Sequence, residues 1–297
     1  MYAIETKGLT KYYGKVPGII DLDLQIPAVE IIGFIGPNGA GKTTTIRLLL
    51  SLLFPTKGTG TIFGQDIVKD SPAIKKIVGF VPSEVNYYQK MTAKELLEYS
   101  ARFYGVALTG HFNKMVDILN LDLSRKLEDL SMGNKKKVAV IQSLLHRPKL
   151  LILDEPTTGL DPLIQNHFFE ILREENQRGT TIFFSSHVLG EVEKLCSKIV
   201  IIKDGRIVNV DDVFSIKKKL LSRVTFHTKT NAEDITLESP GILSPEKNGN
   251  EFSFLYKGEI PPLLKYLSQL PIEKIVINEL DLEEVFMHYY ANDSNKL

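Results

Sequence analysis

The feature that most restricts the fold of this chain is a glycine-rich stretch at residues 36–44, which reads GPNGAGKTT. It follows VEIIGFIG at 29–36, a continuous apolar and β-branched run of the kind that forms a strand buried on both faces. It precedes KTTTIRLLLSLLF, in which Ile46, Leu49 and Leu53 have helical spacing. A strand, a glycine-rich loop and a helix in this order predict an α/β fold.

The same stretch matches the pattern of a phosphate-binding loop, which is a glycine, four further residues and then Gly-Lys-Ser/Thr. Backbone N–H groups of such a loop close around phosphates at a helix N-terminus, where Lys42 would reach the terminal phosphates and Thr43 would ligate Mg²⁺. A chance glycine turn is the alternative, but it would not need a buried strand before it and a helix after it. The stretch therefore predicts binding of a nucleoside triphosphate. The expected contacts are Gly36, Pro37, Asn38, Gly39, Ala40, Gly41, Lys42, Thr43 and Thr44.

An acidic pair follows a second apolar strand, in LLILDEPTTGLD at 150–161. A strand that delivers two carboxylates at its end would place Asp154 beside the Mg²⁺ and Glu155 where it polarises an attacking water. Two adjacent acids after a strand are usually a solvated turn, but the upstream loop favours the catalytic interpretation. A third strand ends in FFSSH at His187. Such a histidine is more often structural than catalytic, whereas in a strand beside the acidic one it would lie near the terminal phosphate.

Composition excludes several other classes of protein. The 297 residues contain 36 Lys plus Arg and 36 Asp plus Glu, so no net basic field would recruit nucleic acid or an anionic membrane. The single cysteine rules out an intrachain disulfide and the six histidines have no metal-ligand spacing, which fits a reducing, cytoplasmic compartment. The start lacks a signal segment, and apolar runs such as 48–54 are far shorter than a bilayer span. We expect a chain that does not cross a membrane by itself.

The pattern along the chain predicts two domains. Residues 71–146 are mostly helical in pattern, and TAKELLEYSARFYG within them opens on a Thr92 cap and closes on a glycine. Later strands are joined by Asp204-Gly205, which predicts a type I′ hairpin turn. After about residue 212 the chain changes to short strands and helices. We predict a domain at 1–215 with a helical insertion at about 71–146, and an accessory α+β domain at 216–297, with the boundary in a lysine-rich helix near 217–220.

Three consecutive lysines lie in LSMGNKKK at 130–137. They fit a solvated patch, a contact strip for nucleic acid, or a helix start that meets phosphate. Ser131 is a good N-cap, and Val138, Ile141, Leu144 and Leu145 give the following helix an apolar face. Lysines in the first turn oppose the helix dipole by about 0.3 to 1 kcal/mol each unless an anion lies opposite. Nucleic acid is disfavoured because no aromatic residues are interleaved with the lysines. The other two interpretations stay open.

Four motifs together carry a resemblance to a known family. GPNGAGKTT, LSMGN, LLILDEPTTGLDP and SSHVLGEVEKLC, in this order, resemble the nucleotide-binding subunits of ATP-binding cassette (ABC) transporters over roughly the first 210 residues. The resemblance implies a P-loop NTPase with a RecA-like core, an antiparallel β subdomain and a helical subdomain, and ATP held between two such subunits. It makes Glu155 the general base, His187 the switch histidine and Asp161 a contact across the dimer. Tyr13 lies where the family places an aromatic that stacks on adenine, with a plain core tyrosine as the alternative.

The family's signature is Leu-Ser-Gly-Gly-Gln at the start of a helix, and LSMGN departs from it at Met132 and Asn134. The resemblance implies that the retained Ser131 and Gly133 meet the γ-phosphate of ATP held by the partner subunit. This favours the phosphate interpretation of the helix start, while a solvated face stays open for each lysine. Nucleic acid is not an expected partner.

A second departure lies in VGFVPSEVNYY, where the family has a glutamine. Ser83 occupies that position and Glu84 follows it. Either residue would hold the attacking water, or Mg²⁺ through a bridging water, in place of the glutamine. Because Glu155 and His187 are retained, we expect ATP hydrolysis.

The tail narrows the expected function. LDLEEVFMHYY at 280–290 resembles the closing helix of ATPase subunits that serve ABC-2-type exporters of drugs, peptides or lipids. An amphipathic helix that packs on its own domain is the alternative. We expect an ATPase subunit on the inner face of the membrane that pairs with a second ATPase subunit, as a homodimer or heterodimer, and powers a separate export permease. An importer subunit and a soluble, non-transport ABC ATPase are the alternatives.

A docking groove for the permease is expected on the helical insertion. Its apolar residues would be Tyr87, Tyr88, Leu96 and Tyr99.

Overall fold

The computed structural model of the chain describes residues 1–87, 90–213, 222–229, 237 and 239–279. The chain divides into two compact units, Met1–Asp211 and Asp212–Leu297. The expected boundary helix near 217–220 and the tail helix at 280–290 lie outside the described residues.

The strands of the first unit are β1 (Tyr2–Tyr13), β2 (Val16–Pro27), β3 (Ile31–Ile35), β4 (Lys57–Ile62), β5 (Gln65–Asp66), β6 (Val78–Val81), β7 (Leu150–Asp154), β8 (Thr181–Ser186), β9 (Lys198–Lys203) and β10 (Arg206–Asp212). Its helices are α1 (Lys42–Leu49), α2 (Ser71–Ile77), α3 (Ala93–Tyr104), α4 (Gly110–Ile118), α5 (Met132–Leu144), α6 (Pro162–Gln177) and α7 (Leu189–Leu195), with a 3₁₀ turn at Leu127–Asp129.

A six-stranded sheet forms the centre of this unit, in the order β10-β9-β3-β8-β7-β6. The pairs from β9 to β6 are parallel. β3, β7 and β8 are buried at every position, as expected for strands covered on both faces. The carboxyl ends of these three strands lie side by side, which is where an open α/β sheet binds its ligands. The strand that precedes His187 lies beside the acidic strand, which is the condition under which His187 would lie near the terminal phosphate.

A second sheet, in the order β2-β1-β4-β5, is antiparallel throughout. Its inward residues, such as Leu9 and Leu22, share one apolar core with Phe34 of β3 and Ile46 of α1. This core fixes α1 between the two sheets, and it thereby fixes the position of the glycine-rich loop that precedes α1.

The helical segment follows the capping signals of the sequence. The Thr92 side chain and the Glu95 side chain cap α3 reciprocally, and Gly105 ends the helix at φ 66°, as predicted. Residues 71–146 also contain β6, which pairs with β7 in the central sheet. The four residues of β6 are too few for a helical period to be told from a strand period.

A tight turn joins β9 to β10. Asp204 has φ 49° and Gly205 has φ 73°, which confirms the positive φ at both central residues that a type I′ turn requires.

The second unit contains β11 (Ser222–Thr228), β12 (Ile242–Asn248), β13 (Glu251–Tyr256), α8 (Ile260–Leu267) and β14 (Ile272–Glu279). The strands form an antiparallel sheet in the order β12-β13-β11-β14. Leu263 and Leu267 of α8 pack with Phe226, Phe252 and Phe254 of the sheet. The unit therefore has its own small core.

Helices long and apolar enough to cross a membrane do not occur in the part of the chain that the structure describes.

Candidate functional site

The glycine-rich loop turns between β3 and α1 through conformations that favour glycine. Gly39 has φ 82° and Gly41, the N-cap of α1, has φ 107°. A Cβ built on Gly36 would lie 2.3 Å from the backbone oxygen of Ile202, so the loop backbone passes too close to β9 for a side chain. Residues 37–39 of the loop are exposed, whereas Ala40 is buried. The exposed part of the loop leaves its backbone accessible to a phosphate.

Lys42 lies at the first position of α1 and is 5% exposed. Its ammonium donates to the carbonyl oxygens of Gly36 at 2.6 Å and Pro37 at 3.2 Å. The same nitrogen lies 3.5 Å from Glu155 Oε1, and the other Glu155 oxygen lies 3.2 Å from His187 Nδ1. One carboxylate therefore bridges the loop lysine and the histidine at the end of β8.

Asp154 ends β7 and is 2% exposed. Its Oδ2 accepts from the Thr43 hydroxyl at 2.9 Å, and its Oδ1 accepts from the Ser185 hydroxyl at 2.8 Å. Carboxylate and hydroxyl oxygens are ligands that Mg²⁺ prefers. Thr43 and Asp154, the two residues expected to hold Mg²⁺, are thus brought together, and their chemistry fits that ion.

Ser185 is a member of this group that the sequence reasoning missed. It is fully buried in β8, directly opposite Asp154 in the parallel register. Its hydroxyl also accepts from the backbone N–H of Glu155 at 3.2 Å. The sequence signal that could have identified Ser185 was a polar residue at the carboxyl end of a predicted buried strand.

Glu155 has an unusual backbone conformation for its residue type. Its φ is 47°, in the left-handed region that residues with a Cβ rarely occupy. The Glu155 N–H donates to both the carbonyl and the hydroxyl oxygen of Ser185, each at 3.2 Å. These contacts stabilise the turn that directs the carboxylate toward Lys42 and His187.

Tyr13 lies at the end of β1 and is 47% exposed. Its hydroxyl lies 3.4 Å from Thr44 Oγ1, and a Cβ built on Gly18 would lie 2.8 Å from its ring. The ring is therefore not a core residue, and it lies beside the loop at the start of α1.

The signature stretch forms a second group. The Ser131 hydroxyl caps α5 by accepting from the Asn134 N–H at 3.3 Å, so the predicted N-cap is confirmed. A Cβ built on Gly133 would lie 2.5 Å from the backbone oxygen of Gly159, so only glycine allows this contact. Ser131 and Met132 are exposed. The signature stretch thus packs on the segment that follows Glu155.

Asp161 lies in that same segment. Its Oδ1 accepts from the N–H groups of Leu163 at 3.1 Å and Ile164 at 3.0 Å, which makes it the N-cap of α6. A cavity of about 250 Å³ lies beside this segment, lined in part by Gly159, Glu155 and His187. Glu155 and His187 therefore border the same space as Gly159, the residue on which the signature stretch packs.

The solvated interpretation of the lysines is wrong for Lys136. This residue is 1% exposed, and its ammonium donates to the carbonyl oxygens of Pro82 at 2.6 Å and Ser83 at 2.7 Å. Burial lowers the pKa of Lys136 to about 8, and the charges of Asp154 and Glu155 partly oppose the shift. Lys135 and Lys137 are partly exposed.

The expected docking groove also needs correction. Leu96 is 3% exposed and cannot line a groove, and Tyr88 lies outside the described residues. A cavity of about 1070 Å³ lies instead between the central sheet and the helical segment. Its apolar lining includes Leu52, Phe80 and Phe103, and its cations are Lys75, Lys76 and Arg102.

Comparison with known proteins places these features in a family. A family model described as ABC transporter matches residues 19–158. The chain is 34% identical over 237 residues to the bacitracin transport ATP-binding protein BcrA of Bacillus licheniformis, covering 79% of this chain and 78% of that protein. It is 32% identical to the ABC transporter ATP-binding protein YhcH of Bacillus subtilis, covering 96% and 94%. It is 33% identical to the daunorubicin/doxorubicin resistance ATP-binding protein DrrA of Streptomyces peucetius, covering 75% and 69%.

Solved structures agree in fold. An ATP-binding subunit of an ABC transporter superposes with a TM-score of 0.68 at 28% identity, covering 73% of this chain and 92% of that one. A bacterial ABC transporter cassette solved as a dimer superposes with a TM-score of 0.65 at 25% identity, covering 71% and 98%. The P-loop NTPase fold with its additional antiparallel sheet is therefore confirmed.

Proposed function

Because the chain belongs to the family of ABC transporter ATP-binding proteins, we propose that it hydrolyses ATP to power a separate membrane permease that exports its substrate. The observation that carries this proposal is the contact of Glu155 with both Lys42 and His187 at the carboxyl edge of the central sheet. A general base held between a phosphate-binding lysine and a histidine suits the attack of water on a terminal phosphate.

In the proposed reaction, the loop backbone and Lys42 bind the β- and γ-phosphates of ATP. The two carbonyl oxygens that Lys42 contacts belong to the loop itself, so its ammonium needs to move only from the loop backbone to the phosphates within the loop. The departure of Lys42 frees Glu155 Oε1 to accept the proton of the attacking water. His187 holds the other oxygen and so orients the carboxylate.

Mg²⁺ would be held by Thr43 and Asp154, and when bound it would neutralise charge on the phosphates. Ser185 keeps the Asp154 carboxylate in place through its second oxygen. The adenine base would stack on Tyr13, whose exposed ring lies beside the phosphate-binding loop.

We propose further that two ATPase subunits close on ATP, with Ser131, Gly133 and Asp161 facing the nucleotide bound by the partner subunit. Support comes from the exposure of Ser131 at a capped helix N-terminus, a favourable position for an anion. The dimeric state of the related cassette also supports it.

The export direction is supported by the relatives, one named for bacitracin transport and one for daunorubicin/doxorubicin resistance. The groove with Leu52, Phe80 and Phe103 is the proposed docking surface for a cytoplasmic helix of the permease. This partner would hold the subunit on the inner face of the membrane. The first unit is the proposed ATPase domain, predicted at 1–215, and the second is the accessory domain, predicted at 216–297.

Glu155→Gln tests the proposed chemistry. The variant keeps the size of the side chain but lacks the base, so ATP binding is expected to persist while hydrolysis falls by about 10²- to 10⁴-fold. The ATP-bound dimer should then accumulate and be detected by light scattering. Phosphate release at the wild-type rate would refute Glu155 as the base.

A further inference from the structure

The backbone that follows β6 runs along the edge of the proposed ATP site. Val81, the last residue of β6, lies opposite Leu153 in the parallel register of β7. Pro82 and Ser83 therefore leave the sheet beside Asp154, the residue that follows Leu153. Any shift of this backbone would move the side chains of Ser83 and Glu84 relative to the carboxylates.

The side chain that holds this backbone comes from another element. Lys136 belongs to α5, and its ammonium donates to the carbonyl oxygens of both Pro82 and Ser83. Its side chain is almost fully buried, and its two hydrogen bonds are partly shielded from water. The ammonium also lies close enough to Asp154 and Glu155 for their charges to stabilise its protonated form.

The same helix carries the signature residues. α5 begins directly after Ser131 and includes Gly133, with a helical N–H to C=O bond from Lys135 to Ser131. A shift of the α5 N-terminus would therefore be transmitted through Lys136 to the backbone at 82–83. Lys136 thereby connects the residues proposed to bind the chain's own nucleotide with those proposed to face the partner's nucleotide.

We propose that Lys136 is a positioning residue for ATP hydrolysis, which fixes the backbone of Pro82 and Ser83 beside Asp154 and ties it to the signature helix. The inference rests on the proposed ATPase function. A cationic donor suits this place best, because two carbonyl oxygens converge there in the field of two carboxylates. An apolar side chain would leave both carbonyl oxygens, which belong to partly buried residues, without this donor.

The test compares Lys136→Met, which keeps the length of the side chain without donors, with Lys136→Arg, which restores them. The full chain is assayed with Mg²⁺ and ATP, and ATP affinity is measured by calorimetry. For Lys136→Met, kcat is expected to fall about tenfold to a hundredfold, the usual effect of a small misplacement in a site. ATP affinity should stay within about twofold, because Lys136 does not contact the phosphate-binding loop. Lys136→Arg should recover most of kcat.

Ser100→Ala is the matched control. It removes the hydroxyl that accepts from Gln142 Nε2 at 2.8 Å, so it also breaks a partly buried hydrogen bond of α5 but leaves 82–83 untouched. Its kcat should equal that of the wild type. If Lys136→Met does not fold, Lys136→Gln replaces it. Gln is a shorter, uncharged donor, so its kcat is expected to fall less than that of Lys136→Met.

Hydrogen exchange of a peptide covering 78–87 provides a readout that needs no activity, with exchange at 83–85 expected to be about tenfold faster in Lys136→Met. The role of Lys136 would be overturned if Lys136→Met had the wild-type kcat or unchanged exchange. It would also be overturned if Ser100→Ala lost as much kcat as Lys136→Met, or if Lys136→Arg did not recover kcat. A wild-type chain without hydrolysis would instead refute the proposed function, and the exchange would still decide whether Lys136 fixes this backbone.

Discussion

Ser185→Ala should weaken the proposed Mg²⁺ site without touching either of its proposed ligands. Asp154 is nearly fully buried, and each of its carboxylate oxygens has one hydroxyl donor. Removal of the Ser185 hydroxyl leaves Oδ1 without this donor. A hydrogen bond to a charged group contributes about 1.5 to 3 kcal/mol, and about 1.4 kcal/mol corresponds to a factor of ten. The Mg²⁺ concentration needed for half-maximal hydrolysis should therefore rise about tenfold to a hundredfold, the range seen for residues that orient metal ligands.

The assay is phosphate release at saturating ATP over a series of Mg²⁺ concentrations. Thr180→Val is the matched control, because it removes a buried hydroxyl that donates to the Pro148 carbonyl at 3.0 Å, immediately before the same strand. Thr180 lies at the opposite end of β8 from Asp154, so the control should keep the wild-type Mg²⁺ dependence. The reasoning fails if Ser185→Ala has the wild-type dependence, or if both variants shift it equally.

Two further variants test separate parts of the site. Lys42→Ala removes the cation proposed to bind the β- and γ-phosphates, so calorimetry should detect no ATP binding, and unchanged affinity would exclude Lys42 from the site. Ser131→Glu in the Glu155→Gln background adds a negative charge where the partner's γ-phosphate is proposed to lie. Each monomer should still bind ATP, but sedimentation velocity should detect no ATP-dependent dimer, whereas normal dimerisation would show that Ser131 does not face that phosphate.

Local signals were sufficient for much of the fold and for the phosphate-binding group. The loop that ends in Lys42, the capping box of Thr92 and the turn at Asp204 each depend on residues close together in sequence. The approach of Asp154 to Thr43 was also predictable, because the loop and the acidic pair both follow buried strands, whose carboxyl ends meet at one edge of a parallel sheet.

Contacts between distant elements were harder to predict. The role of Ser185 depends on which strand lies beside β7, and this register has no local signal. The solvated alternative stayed open for Lys136 because the sequence indicated one apolar face on α5, although Val138, Ala139, Val140 and Ile141 are all buried. A helix with such a continuous apolar run is enclosed on most sides, so a lysine two residues before the run can be buried despite its charge.

The left-handed backbone of Glu155 has a consequence for how variants of this protein should be selected. A residue with a Cβ in this region costs about 1 to 2 kcal/mol relative to glycine, and the fold bears that cost at the proposed general base. Glycine at this position would relax the turn and remove the carboxylate in one step. A screen that ranks variants by melting temperature alone would therefore favour chains that have lost the base, so thermostability engineering here requires a parallel measurement of turnover.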